Sequence, residues 1–111
     1  MKYPSKPKQI KEFGIWVIYC RKLIKVGDMD TAKRFYGSQI THLHHYIKEQ
    51  NYYKNPKRYK GMQKLILIPL ELHKDLHSSM SDERFLNAKS NNKYKIERDV
   101  LLYRHRKVEE L

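Results

Sequence analysis

Apolar and polar residues follow one another in short blocks along the chain. Phe13 to Ile24 (FGIWVIYCRKLI) is apolar and rich in β-branched and aromatic residues, and reads as a strand that Gly27 breaks. Asp28 or Asp30 is placed to cap a short helix over Thr31 to Tyr36, ended by Gly37. Ile40 to Ile47 (ITHLHHYI) suits a strand, whereas Lys48 to Lys64 is polar, basic and tyrosine-rich, and its Pro56 and Gly61 predict a loop. Leu65 to Ile68 (LILI) predicts a short, fully apolar strand. Pro69 suits the first turn of a following helix, in which Leu70, His73 and His77 repeat at helical spacing. Ser79 to Asp82 reads as a cap for a helix over Glu83 to Lys89, and Ser90 to Lys93 as a polar linker. Tyr94 to Leu111 reads as a closing amphipathic helix with Ile96, Val100, Leu101, Tyr103, Val108 and Leu111 on one broad face. Residues 1–12, with Pro4 and Pro7 among lysines, predict an extended, mobile basic arm. The expected fold is a small α+β domain over 13–111, without repeats or low-complexity tracts.

Composition narrows the function classes. The 111 residues are one domain's worth of sequence, too few for a multidomain machine or a large cofactor fold. A single cysteine, Cys20, excludes an internal disulfide framework and any CxxC zinc knuckle. The longest apolar runs, Ile15 to Cys20 and Leu65 to Leu70, fall far short of the ~20 residues of a membrane helix. No secretory apolar region follows the basic start. These features predict a soluble, cytoplasmic protein with no membrane partner. Lys plus Arg outnumber Asp plus Glu by 24 to 12, a formal net charge of +12. Such a field commonly serves a polyanion, usually nucleic acid; the bland alternative is a surface kept soluble by lysine. Nine tyrosines add faces that can stack on bases, although most suit core or strand positions equally well.

The candidate chemistry lies in the histidines. Five of the six fall in two tight groups, Thr41-His42-Leu43-His44-His45 on a predicted strand and His73-Lys74-Asp75-Leu76-His77 on a predicted helix. Residues four apart share a helix face, so His73 and His77 can hold one ion. Strand alternation sends His42 and His44 to one face and His45 to the other, unless the strand bends at its end. Imidazole is the commonest nitrogen ligand for late first-row divalent metals. Three imidazoles with an open position suit catalysis rather than a closed structural site, and a fourth, unligated histidine nearby can take a proton from water. That set is the minimum for metal-assisted phosphodiester hydrolysis. A metalloprotease needs Glu directly after the first helix histidine, where this chain has Lys74. Cys20 in an apolar run and the lack of a nucleophile elbow argue against a serine or cysteine hydrolase.

His44-His45, a loop, then Leu65 to His77 (LILIPLELHKDLH) resembles the HNH nuclease superfamily, the ββα-metal fold. The doublet followed by HxxxH looks most like the colicin-type DNases, and Leu43-His44-His45 resembles the Leu-His-His subgroup of toxin nucleases. The likeness covers about residues 40–80, with a C-terminal helix expected over about 94–110. The resemblance implies a β-hairpin and helix around one divalent metal ion: zinc, nickel, manganese or magnesium. It implies His44, His73 and His77 as ligands and His45 as general base. Imidazole ligands favour zinc, nickel, manganese or cobalt over magnesium, which prefers oxygen. The family's central Asn, which pins the loop holding the base, is replaced: Lys64 stands there, beside Gln63. Gln63 can supply a similar amide through one more methylene, and Asn51 and Asn55 are further candidates.

The leading expectation is therefore a metal-dependent endonuclease of phage or toxin type, acting on DNA in preference to RNA. Lys54, Lys57, Arg58 and Lys60 are candidates to track phosphates, as are Arg84, Arg104 and Arg106. The resemblance also implies a protein partner of the immunity type. The rival is a degenerate HNH fold that binds nucleic acid or protein without catalysis, which the replaced Asn favours. A structural zinc module is disfavoured because four closed ligands are hard to assemble without cysteine.

Overall fold

The computed structural model describes residues 3–80 and 92–109. The fold is a small α+β domain. Its sheet has four strands, β1 (Ile15–Tyr19), β2 (Lys22–Val26), β3 (Thr41–His45) and β4 (Leu65–Pro69), in the order β2-β1-β4-β3. β1–β2 and β3–β4 pair antiparallel, while β1 and β4 run parallel. The described α-helices are α1 (Lys6–Phe13), α2 (Met29–Arg34), α3 (Glu49–Lys54), α4 (Leu70–Met80) and α5 (Lys95–Glu109), the last entered through a 3-10 turn at Asn92–Tyr94. None of the described helices is long and apolar enough to cross a membrane.

β4 is buried at all five positions, as its unbroken apolar sequence requires of an interior strand covered on both faces. Ile66 and Ile68 face one core with Ile18, Leu72, Leu76 and Leu101. Leu67 faces a second core with Ile15, Val17 and Ala32. Burial of each such Leu or Ile side chain stabilises by about 1.5–3 kcal/mol. β4 runs directly into α4, whose first amide, Leu70 N, donates to Ile40 O at 2.9 Å, just before β3. The hairpin and its helix are thereby fixed as one unit.

Four segments depart from expectation. Residues 6–13 are helical rather than an extended arm. Pro7 falls in the first turn, where its missing N–H costs nothing, and Gln9, Ile10 and Phe13 turn inward. Gly14 ends the helix at φ 77°, a conformation open to glycine, and its N–H donates to Ile10 O. The apolar run 13–24 is not one strand but the hairpin β1–β2. Its two-residue turn, Cys20 and Arg21, has φ of 51° and 65°, a left-handed pair usually marked by Asn and Gly. The expected loop 48–64 contains α3, anchored by buried Tyr52. On α5, Leu101 is buried and Val108 packs on the core, but Ile96 and Tyr103 are exposed, so the apolar face is narrower than the helical wheel implied. Asp28 caps α2 as expected, its carboxylate accepting from Thr31 N at 2.7 Å. The helix expected over 83–89, Arg84 and Leu111 lie outside the described residues.

Candidate metal centre

Strand alternation and helical spacing assemble the centre from adjacent parts of the chain. In the β3–β4 register His42 is opposite Ile68 and His44 opposite Ile66, so both project toward the face covered by α4. On α4, Leu72 and Leu76 are buried beneath the sheet, and His73 and His77, one residue further on, form the neighbouring stripe. One nitrogen from each of His44, His73 and His77 comes within 4.8 Å of the others. The Nε2 atoms of His73 and His77 are 2.8 Å apart. His44 is buried, His73 half-buried and His77 exposed, so the cluster opens to solvent on one side.

His105 on α5 joins the cluster from the C-terminal side, its Nε2 2.9 Å from His44 Nε2. Two contacts hold α5 in place: Tyr46 Oη donates to Arg104 O at 2.6 Å, and Arg98 on α5 pairs with Asp75 on α4 at 3.4 Å. His42 meets His73 through the other side of its ring, Nδ1 to Nδ1 at 3.4 Å. His42 therefore approaches the nitrogen of His73 that does not face His77.

In His44, His73 and His105 burial is the first cause that lowers the pKa, followed by neighbouring charges. His44 is pushed down to about 2 by desolvation and then by the neighbouring rings of His105, His73, His77 and His45. Desolvation also lowers His73 to about 4, helped by His77 and His42. His105 is lowered to about 4 by desolvation, then by His77 and Lys48. At neutral pH these rings present unprotonated nitrogens, the form that binds metals.

His45 lines the same open cavity of about 590 Å3 as His44, His73, His77 and His105. Its register opposite Leu65 sends its Nε2 to the other side of β3, where it lies 2.7 Å from Gln9 Oε1. Glu49, at the start of α3, approaches the same nitrogen at 3.8 Å. Desolvation depresses the His45 pKa, partly offset by Glu49, while Lys6 lowers it further. The turn after His45 is pinned by Gln63. Ile47 N donates to Gln63 Oε1 at 2.8 Å, Gln63 Nε2 donates back to Ile47 O at 2.7 Å, and Lys64 N also donates to Oε1 at 3.1 Å. Gln63 is buried, so the extra methylene brings its amide onto the loop backbone. Asn51 lines the cavity wall, and Asn55 closes α3 through its backbone N–H to Asn51 O.

Lys54, Lys57, Arg58 and Lys60 are all exposed. Arg58 stacks its guanidinium over the ring of Tyr59, 5.4 Å to the centroid, and buried Tyr59 forms part of the cavity wall. The basic segment thus borders the histidine cavity.

No known protein family, curated protein or solved structure matches the chain. The donor set is nonetheless chemically selective: three converging imidazoles fit a late first-row divalent ion better than magnesium or calcium. Two participants escaped the reading of the sequence. His105 follows Leu101 by four residues and precedes Val108 by three, a spacing that places it on the buried stripe of α5. That signal was present in the chain, but its partner, 61 residues away, was not. Gln9 carried no signal, because its role depends on how α1 docks.

Proposed function

We propose that this protein is a metal-dependent endonuclease that hydrolyses phosphodiester bonds of nucleic acid. The convergence of His44, His73 and His77 nitrogens within 4.8 Å, beside a separately held His45, carries this reading. His44, His73 and His77 hold one divalent cation, zinc, nickel, manganese or cobalt in preference to magnesium. When bound, that cation supplies Lewis-acid stabilisation to the negative charge that develops on phosphate oxygens.

The chain's own residues supply the rest. His45 is the general base, kept out of the ligand set by the alternation that turns its Nε2 toward Gln9. Gln63 holds the backbone two residues beyond His45, a role the replaced Asn had left open. Lys54, Lys57, Arg58 and Lys60 attract and align the phosphate backbone, and the half-open cavity admits a strand to the cluster. Nothing in these contacts reads base edges, which favours cutting with little sequence preference.

The test is nicking of closed-circular plasmid, with a structured RNA in parallel. Chelator-treated protein is supplied with zinc, nickel, manganese, cobalt or magnesium in turn. Cutting that requires added metal and stops with excess chelator is expected. If neither polymer is cut with any of the metals, the nuclease reading fails and a non-catalytic binding protein replaces it.

A further inference from the structure

Gln9 is 3% exposed and lies on α1, outside the histidine-bearing segments, yet one of its three side-chain hydrogen bonds reaches His45 and another the Glu49 carboxylate beside it. Its Nε2 donates to Pro4 O at 2.8 Å and to Glu49 Oε2 at 3.0 Å. Both partners are acceptors, a carbonyl and a carboxylate, so the amide can be oriented in only one way. Its Oε1 is therefore the atom that faces His45 Nε2, at 2.7 Å. A carbonyl oxygen cannot donate, so His45 must carry its proton on Nε2, and Nδ1 is left with the lone pair.

We infer that Gln9 is the positioning residue of the general base, fixing His45 in its Nε2–H tautomer, with Glu49 holding the amide of Gln9 in the required orientation. This rests on the nuclease reading for its function, though not for its geometry. A neutral histidine can accept a proton only through the nitrogen that lacks one, so a base with a mixed tautomer is idle part of the time. The pinned ring also keeps one direction for its free lone pair, a condition for proton transfer from water. Two charges act on His45 with opposite sign, Glu49 raising its pKa and Lys6 lowering it, and the neutral amide of Gln9 fixes the tautomer without adding a third. Helix α1 thus becomes part of the catalytic machinery.

The experiment is long-range 1H–15N correlation NMR of the full chain loaded with zinc, which is diamagnetic, together with plasmid cleavage rates. Wild type should show His45 as a single Nε2–H tautomer. Gln9→Leu keeps the volume but removes the acceptor; it should give mixed tautomers and a cleavage rate about tenfold or more lower, the loss typical of an outer hydrogen-bond partner. Zinc affinity should stay unchanged. Gln9→Met, unbranched like Gln and also without the amide acceptor, should likewise give mixed tautomers and a lower rate, and decides the matter if the Leu variant fails to fold. An unchanged Nε2–H tautomer in folded Gln9→Leu overturns the inference, whatever the rate. So does mixed tautomerism in wild type, or an unchanged Nε2–H tautomer in folded Gln9→Met. If wild type cuts nothing, the nuclease reading falls, while the tautomer spectra still decide the role of Gln9.

Discussion

Replacing Gln63 with Leu probes the link between the loop and the base. The substitution keeps most of the side-chain volume, so little cavity forms, but it removes the amide that satisfies Ile47 N–H and C=O. Gln63 is 6% exposed and Ile47 is 2% exposed, so water cannot replace the lost partners without opening the loop. Each buried backbone group left unpaired costs about 1–3 kcal/mol, which puts the total at roughly 2–6 kcal/mol with both Ile47 groups affected. That is a large part of the 5–15 kcal/mol or so typical of a small domain. Gln63→Asn should fall between, because an amide shorter by one methylene cannot reach both groups without moving the loop. Urea unfolding of chelator-treated protein, followed by far-UV circular dichroism, reads the stability. Plasmid cleavage per folded molecule reads the consequence for His45, which lies two residues before Ile47. Zinc affinity should change little, since β3–β4 pairing and α4 hold His44, His73 and His77 independently of the clamp. A Leu variant within about 0.5 kcal/mol of wild type, the range of ordinary surface changes, would refute the energetic argument. Full cleavage by a destabilised variant would refute the link to the base.

Other consequences follow from the same contacts. His105→Ala should weaken zinc binding about tenfold in calorimetric titration, because the 2.9 Å contact with His44 fixes that ring; equal affinity would show the contact to be idle. Chelator-treated protein should lose stability as pH falls below about 6.5. Folded His44 and His105, the two more buried of the three depressed rings, stay neutral down to about 2 and about 4, so from them alone unfolding at pH 5 takes up roughly two protons, or about 2–3 kcal/mol per pH unit in urea unfolding, with half-buried His73 adding to it. A flat stability between pH 7 and 5 would contradict it. Duplex DNA binding should weaken steeply with salt, and alanine at Lys54, Lys57, Arg58 and Lys60 together should reduce the slope of log affinity against log salt by about 3–4; no change in slope would remove these residues from the interface.

The parts of the fold readable from the chain are those set by local pattern. LILI announced an interior strand because each residue is apolar, and HxxxH placed two imidazoles on one helix face by spacing alone. Strand alternation separated His45 from His44. The parts that were not readable depend on compensation at a distance. Pro4 and Pro7 among lysines suggested an open arm, but Pro7 fits the first helical turn and Gln9 finds its partners only once α1 docks against α3 and the end of β3. The β1–β2 turn was hidden because Cys20 and Arg21 adopt left-handed conformations without the glycine that usually marks them. Helix α3 was hidden by its polar composition, since Tyr52 is its one buried residue. His105 was invisible as a participant because proximity to His44 arises from the packing of α5 on α4 through Leu101, Leu76 and the Arg98–Asp75 pair.

The central claim is that an ion held by His44, His73 and His77 works with His45 as the base. Its most direct test is the single-turnover cleavage rate of a short DNA duplex by wild type and His45→Ala at saturating metal, with zinc affinity measured on both. The account predicts a fall in rate of about a hundredfold or more, the usual contribution of a general base, with metal affinity nearly unchanged because His45 is not a ligand. Equal cleavage rates for the two proteins, or metal affinity lost along with His45, would contradict it.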